Sequence, residues 1–258
     1  MKSVFLIKDT VILAAKTAAL IIENGGEISR AEDSAVRICT AYGIKNPSVF
    51  ALNSIVIVSC SIGYDGFTHS VRIKSVEESM NRLESLNEFS RNICAYTPPI
   101  NSAKNELEQI CTQKINTAKS AFGAILTAAS FTLFYGGSFA DFVLSSLLAA
   151  MIFFGNTLLI KATANPLVPN AVLSLISGLV AMGAVHLGIC SSFDAVTLGC
   201  LMQLFPGISM INSASSLLSN NTISAILQLK QSILNAFFIA AGFALSIYLW
   251  NNFLYQLF

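Results

Sequence analysis

Two short stretches hold the residue types from which a site for a small charged solute could be built. The first is Leu204-Phe205-Pro206-Gly207-Ile208-Ser209-Met210-Ile211-Asn212, which interrupts an otherwise apolar run. Proline removes a backbone donor and glycine relaxes the chain, so the pair breaks or kinks a helix. A broken helix exposes backbone amides and carbonyls, which membrane depth tolerates only against protein or a water-filled cavity. Amides following Gly207 would present a partial positive charge suited to a substrate carboxylate. Gln203, Ser209, Asn212 and Ser213 supply polar groups close by, and Asn156 is a buried amide that must satisfy donors and an acceptor. The substrate-binding candidates are therefore Asn156, Gln203, Pro206, Gly207, Ser209 and Asn212. A packing kink with polar residues bonding between helices accounts for the same residues, and both readings stand at this point.

The second stretch is Gly25-Gly26-Glu27-Ile28-Ser29-Arg30-Ala31-Glu32-Asp33. Its glycines read as a helix stop, and Ser29 with Glu32 has the spacing of a capping box. Arg30 and Asp33 are additional charges that a ligand or partner could use, so Gly25, Gly26, Glu27, Arg30, Glu32 and Asp33 are candidates as a group. Asp141, His186 and Asp194 are the titratable candidates for ion coupling, although capping alone accounts for Asp141 and an interfacial position for His186. The six cysteines form no CxxC pair and no His stands at metal-ligand spacing, so no metal is expected. No nucleophile elbow, Walker loop, HExxH or paired-acid pattern appears, so neither an enzyme nor a cofactor is expected.

These residues must be held by two compositions joined in one chain. Of 29 charged residues, 25 lie in positions 1–120, and only Asp141, Lys161, Asp194 and Lys230 follow. From Lys119 onward the charge-free intervals run 21, 19, 32, 35 and 28 residues. Runs of about 18 or more uncharged apolar residues read as membrane spans. The pattern predicts a membrane α-helical bundle of five spans, about 120–136, 142–160, 168–188, 194–211 and 231–251, preceded by a cytoplasmic α+β domain. The domains are expected at 1–116 and 117–258.

In the first half, residues 4–23 read as an amphipathic helix, followed by a second through about Tyr42. Ser48–Leu52, Ser54–Ser61 and Thr68–Lys74 read as strands of a small antiparallel sheet, with Asp65-Gly66 as a hairpin turn. Glu77–Cys94 returns to helix, with Met80, Leu83, Leu86 and Phe89 on one face, and Asn101–Lys119 reads as a charged helix leading into the membrane.

Orientation follows from the lysines, because cytoplasmic flanks keep Lys and Arg. Lys114, Lys119, Lys161 and Lys230 all fall on the inner side of a five-span chain, and Asp141 and Asp194 on the outer side. The N-terminus is then cytoplasmic and the C-terminus outside, with Trp250 and Tyr255 near the outer interface. The near-balanced charge of the first half excludes a basic surface for nucleic acid. An odd span count leaves no room for two equal repeats, so a transporter of this kind would need a complementary bundle from another chain.

The chain resembles the threonine/serine exporter family (ThrE-like), and within it the YjjP type. The resemblance rests on Gly25–Asp33, the strand-rich stretch after Tyr42-Gly43, Arg82…Leu86-Asn87…Ser90-Arg91, Phe131…Phe134-Tyr135-Gly136-Gly137…Asp141 and Phe205-Pro206-Gly207…Asn212. It implies a cytoplasmic domain followed by five spans, an inner-membrane location and a short YjjB-like membrane partner in a hetero-oligomer. It also implies export of threonine and serine, or of succinate for the split system. The family often carries an Arg-Asp pair after the Pro-Gly…Asn motif and a Gly-Asp before the last span. Here Ser215-Ser216 and Asn220-Asn221 occupy those places.

The expected function is one component of a secondary exporter for small carboxylate-bearing metabolites, threonine and serine first. A succinate or dicarboxylate exporter component is the alternative within that class. A membrane-anchored sensor or assembly subunit acting through its cytoplasmic domain is the alternative outside it.

Overall fold

A computed structural model describes residues 2–62, 65–76, 78–113, 116–163, 167–219 and 221–254. The chain divides into two compact units, one of residues 1–115 with 208–229 and one of 116–207 with 230–258.

The first unit is α+β. Its elements are α1 (Lys2–Glu23), α2 (Ile28–Ala41), β1 (Ser48–Leu52), β2 (Ile55–Ile62), β3 (Asp65–Arg72), α3 (Met80–Tyr96) and α4 (Ile100–Thr112). Alanine and β-branched residues cover nearly every side of α1, so it lies at the centre of the core rather than on its surface. From Thr10 to Ile22 only Lys16 is exposed, and the buried Thr10 and Thr17 hydroxyls bond back to Leu6 O and Leu13 O. The strands form an antiparallel meander in the order β1-β2-β3. Val56, Val58 and Cys60 alternate onto the buried face of the central strand, which packs against α1. Leu86, Phe89 and Ile93 are the buried face of α3, and each contributes about 1.5–3 kcal/mol by leaving water. Met80, expected on that face, is half exposed.

Two expectations for this unit need correction. Asp65 and Gly66 are not a turn: they pair with Ile62 and Ser61 in β3. The cross-strand bonds of the β2–β3 ladder outweigh the local turn preference of Asp-Gly, and residues 63–64 lie outside the described residues. The charged helix expected over Asn101–Lys119 is two helices. α4 stops at Thr112, and α5 (Thr117–Phe134) starts afresh with Asn116 accepting from Lys119 N at 3.2 Å. Lys114 lies outside the described residues.

The second unit contains α5, α6 (Phe139–Thr163), α7 (Leu167–His186), α8 (Phe193–Leu204) and most of α10 (Thr222–Leu249), while α9 (Gly207–Leu218) from Ile208 onward and the first turns of α10 belong to the first unit. One π-helical turn follows at Trp250–Leu254. Small residues let these helices approach closely, as membrane interfaces favour. A Cβ at Gly199 would meet Ala128 O of α5 at 2.6 Å, and one at Gly155 would meet Leu173 of α7 at 2.7 Å. The outward faces are apolar: Val168, Val172, Ile176 and Val180 form an exposed i, i+4 stripe along α7, and Leu147, Phe154 and Leu158 are exposed on α6. Such a surface suits lipid rather than water.

Three helical stretches are long and apolar enough to cross a bilayer, Phe139–Leu159, Leu167–His186 and Thr222–Asn252, and four are if α8 and α9 count as one broken span. The 18 residues of α5, which begin with Thr117 and include Lys119, are not among them. The helix expected over 194–211 breaks at Phe205-Pro206. At about 1.5 Å per residue, a 12-residue half reaches only about 18 Å of a roughly 30 Å core.

Candidate functional site

The first motif is shaped by its glycines. Gly25 N bonds to Ile22 O and Gly26 N to Ile21 O, closing α1 with Gly25 at a φ of +85°, a left-handed position that glycine alone takes without strain. Gly26 is required by space: a Cβ there would meet Ile21 O at 2.7 Å and Leu83 Cδ1 at 2.9 Å. The chain then enters α2 through Glu27, whose extended backbone makes it the N-cap residue.

The capping box expected from Ser29 and Glu32 does not form. The Ser29 hydroxyl instead donates to Glu27 Oε1 at 2.5 Å, and Glu32 accepts from Ala51 N at 2.8 Å. Burial pushes the Glu32 carboxyl above its usual range, against the opposing bonds from Ala51 N and the Asn221 side chain.

α9 docks on this motif through one polar face. Ser209, Asn212 and Ser215 recur at i, i+3 and i+6, a helical stripe. Ser209 Oγ donates to Glu78 Oε1 at 3.0 Å, Asn212 Nδ2 to Gly25 O at 2.9 Å, and Ser215 Oγ to Glu27 Oε1 at 2.6 Å. The Ser215 hydroxyl is the main reason that the Glu27 carboxyl is held below its ordinary range; Ser29 helps, burial opposes, and the Arg30 charge adds a little. Both hydroxyls fall on Oε1, so the second carboxylate oxygen of Glu27 faces no protein donor among the described residues.

Gly25, Glu27, Arg30, Asn87 and Asn212 line a cavity of about 180 Å³ floored by Leu83 and its neighbours. That volume is a few water molecules at roughly 30 Å³ each, or one amino-acid-sized solute. The Arg30 guanidinium is exposed and has no carboxylate partner among the described residues. A planar guanidinium suits a carboxylate, and a free carboxylate oxygen suits an ammonium group. Arg30 and Asn87 also line a groove of about 650 Å³ between α2 and α3, shared with Arg37, Ser90 and Arg91. Asp33 lies in that groove and pairs with Arg37 at 2.8 Å on an exposed turn.

The six substrate-binding candidates are divided between the two units. Ser209 and Asn212 sit in the first unit, whereas Asn156, Gln203, Pro206 and Gly207 belong to the second. A Cβ at Gly207 would meet only Phe205, at 3.8 Å, so packing does not require glycine there. Gly207 N closes a tight turn onto Phe205 O at 2.9 Å. The break also frees Leu204 O, which accepts from Asn235 Nδ2 at 3.4 Å, while Asn170 Nδ2 donates to Asn235 Oδ1 at 2.7 Å. The side-chain oxygens of Asn156 and Gln203 are buried without a protein donor among the described residues, the state in which a polar group calls for water or a ligand.

Asp141 is fully buried and accepts from Ser138 N, Ser138 Oγ, Ser191 N, Ser191 Oγ and Ser192 N at 2.7–3.3 Å. Asp141 N returns a bond to Ser138 Oγ at 3.3 Å, which completes a capping box at the start of α6. The carboxylate thereby ties the start of α6 to the start of α8, where the exposed Asp194 lies in the first turn. His186 is exposed at the end of α7 with its ring 5.8 Å from Trp250, which is buried, and Tyr255 lies outside the described residues. Among the described residues no cluster of His, Cys, Asp or Glu could hold a metal ion.

Ser215, Asn87, Glu78 and Asn170 are participants that sequence reasoning did not single out as site residues. The i, i+3, i+6 spacing of Ser209, Asn212 and Ser215 was the available signal for the first of them.

The family model ThrE, described as Putative threonine/serine exporter, matches residues 12–250. The chain belongs to the ThrE family. The match covers both motifs and reaches from α1 into α10. ThrE is a transporter family, and with the apolar helices described above the match marks a multi-pass membrane protein of the threonine/serine exporter type. No curated protein and no solved structure matches the chain.

Proposed function

We propose that this chain is the larger component of a secondary exporter that moves threonine and serine out across the inner membrane, working with a short YjjB-like membrane protein. The observation that carries the site is the docking of Asn212 and Ser215 on Gly25 and Glu27 beside the unpaired Arg30. In this reading Arg30 takes the substrate carboxylate, the free oxygen of Glu27 takes the ammonium group, and the Asn87 and Asn212 amides orient the hydroxyl. An anionic Glu27 in the cavity disfavours a dicarboxylate, which has no ammonium to offer it. The α2–α3 groove, with Arg37 and Arg91, leads carboxylates toward Arg30.

Substrate that competes for Glu27 and Asn212 loosens α9, and α9 continues directly from α8 through Phe205-Pro206-Gly207. Occupancy is thus passed to the membrane helices along the chain itself, with the α9 docking as the two-state element. We place five spans, counting α5 and the broken pair of α8 with α9, with Lys119, Lys161 and Lys230 inside, Asp141 and Asp194 outside, the N-terminus cytoplasmic and the C-terminus outside. The bonds from Asp141 to Ser191 and Ser192 support this, since they bring both aspartates to one end of the second unit.

The test is efflux of labelled threonine and serine from cells expressing the chain with its partner, at matched membrane abundance. Arg30→Gln and Glu27→Gln are expected to lower export at least tenfold, and Asn212→Ala severalfold. Export unchanged in all three variants removes the cavity from the path, and no threonine or serine efflux by the wild type removes the substrate.

A further inference from the structure

A separate cavity of about 460 Å³ opens in the first unit between the last turn of α1, the end of β3, α3 and α4. Three cations reach it, Arg72, Lys74 and Arg82, against a single carboxylate, Glu23. The ion pairs among the described residues are Arg37–Asp33 and Lys104–Asp9, so none of the three cations is matched by an acid there. Lys16 and Glu108, whose charges also act on Cys111 in the wall, add one charge of each sign. Arg82 is the most telling of the three. Its Nη2 donates to Gln113 O at 3.1 Å, but its Nε is buried with no acceptor. A buried guanidinium N–H without a partner is costly, and an anion in the cavity would satisfy it. Burial alone pushes the Glu23 carboxyl up, which eases its protonation beside an incoming anion.

We propose that this cavity binds a small ligand carrying at least two negative charges, a phosphate ester or a polycarboxylate, anchored on Arg82 and closed over by Arg72 and Lys74. It stands apart from the export reading, because none of these cations lines the Arg30 cavity. The two sites are nevertheless joined through the chain. Asn24 lines the anion cavity, and the next residue, Gly25, supplies the carbonyl that holds Asn212. Occupancy at Asn24 therefore bears on the docking of α9, which makes the cavity an input from a metabolic anion.

The test titrates inorganic phosphate and citrate into the purified full-length chain in detergent, with chloride holding ionic strength constant. Binding of either anion is expected, weakened about threefold by Lys74→Gln and at least tenfold by the Arg72→Gln/Lys74→Gln pair. Both positions are exposed, so these variants should fold. Arg82→Gln is expected to abolish binding, and Lys45→Gln, an exposed cation outside this cavity, to leave it unchanged. Tighter phosphate than citrate identifies a phosphate ester, and the reverse a polycarboxylate. No binding of either anion, or equal affinity in the wild type and the Arg72→Gln/Lys74→Gln pair, overturns the proposal.

Discussion

Removing the Ser215 hydroxyl should release α9 by a predictable amount. The bond from Ser215 Oγ to Glu27 Oε1 is 2.6 Å long, ends on a charged acceptor and is partly buried. Hydrogen bonds to charged groups contribute about 1.5–3 kcal/mol net, and solvent reaching a part-exposed carboxylate reduces that. We take about 1.4 kcal/mol, which is roughly tenfold in the equilibrium between docked and undocked α9. Native-state hydrogen exchange reads this directly, since local opening sets the exchange of the α9 amides. Ser215→Ala should speed exchange over residues 208–218 about tenfold and leave β2 unchanged. Glu27→Ala should do nearly the same, and the double variant should add little to either, because both remove one interaction.

The pH dependence has a fixed sign. The Glu27 carboxyl is held below its ordinary value when α9 is docked, so its contribution is complete above the ordinary glutamate value. That contribution is lost as pH falls through the lowered value of the docked state. Acid should therefore loosen α9 in the wild type and not in Glu27→Gln. Exchange altered less than twofold by Ser215→Ala, or effects of the two substitutions that simply add, would refute the latch.

Other perturbations probe the scaffold. Gly26→Ala should lower the thermal midpoint, because its Cβ would meet Ile21 O at 2.7 Å, and overpacking of that kind costs about 1–3 kcal/mol; a midpoint within error of the wild type contradicts the close approach. Asp141→Ala strands the Ser191 and Ser192 donors and should cost a few kcal/mol in detergent unfolding, roughly 3–5 kcal/mol if the site stays dry. Asn235→Leu removes both the Asn170 bond and the cover on Leu204 O. It should cost about 0.6–1.7 kcal/mol, the range for polar pairs between membrane helices, read as a lower unfolding midpoint.

What the sequence displayed was composition and period. The collapse of charge after Lys119, the β-branched run Ile55–Val58 and the glycine stops at Gly25 and Gly43 each act over a few neighbouring residues, and the helices and sheet followed them closely. Where local signals competed, tertiary pairing decided. Asp65-Gly66 carries turn chemistry but lies in a ladder with Ser61 and Ile62, and Ser29 has capping-box spacing but donates to Glu27.

The site was illegible for a different reason. Pro206 announces a break, but nothing within nine residues of it says that the following helix will dock on a motif some 180 positions earlier. The contacts Asn212–Gly25 and Ser215–Glu27 have sequence separations of 187 and 188, and a helical period cannot encode a partner at that distance. The polarity of α9 was the one local trace. An otherwise apolar half-helix has little use for Ser209, Asn212 and Ser215 along one face unless something polar meets them. Glu78, Gly25 O and Glu27 do. Ser215 and Asn221 make the same point, since the Ser215 hydroxyl meets Glu27 and the Asn221 side chain meets Glu32. Both are neutral donors that meet acids of the N-terminal motif, so one side chain at each position joins segments that the sequence keeps almost 190 residues apart.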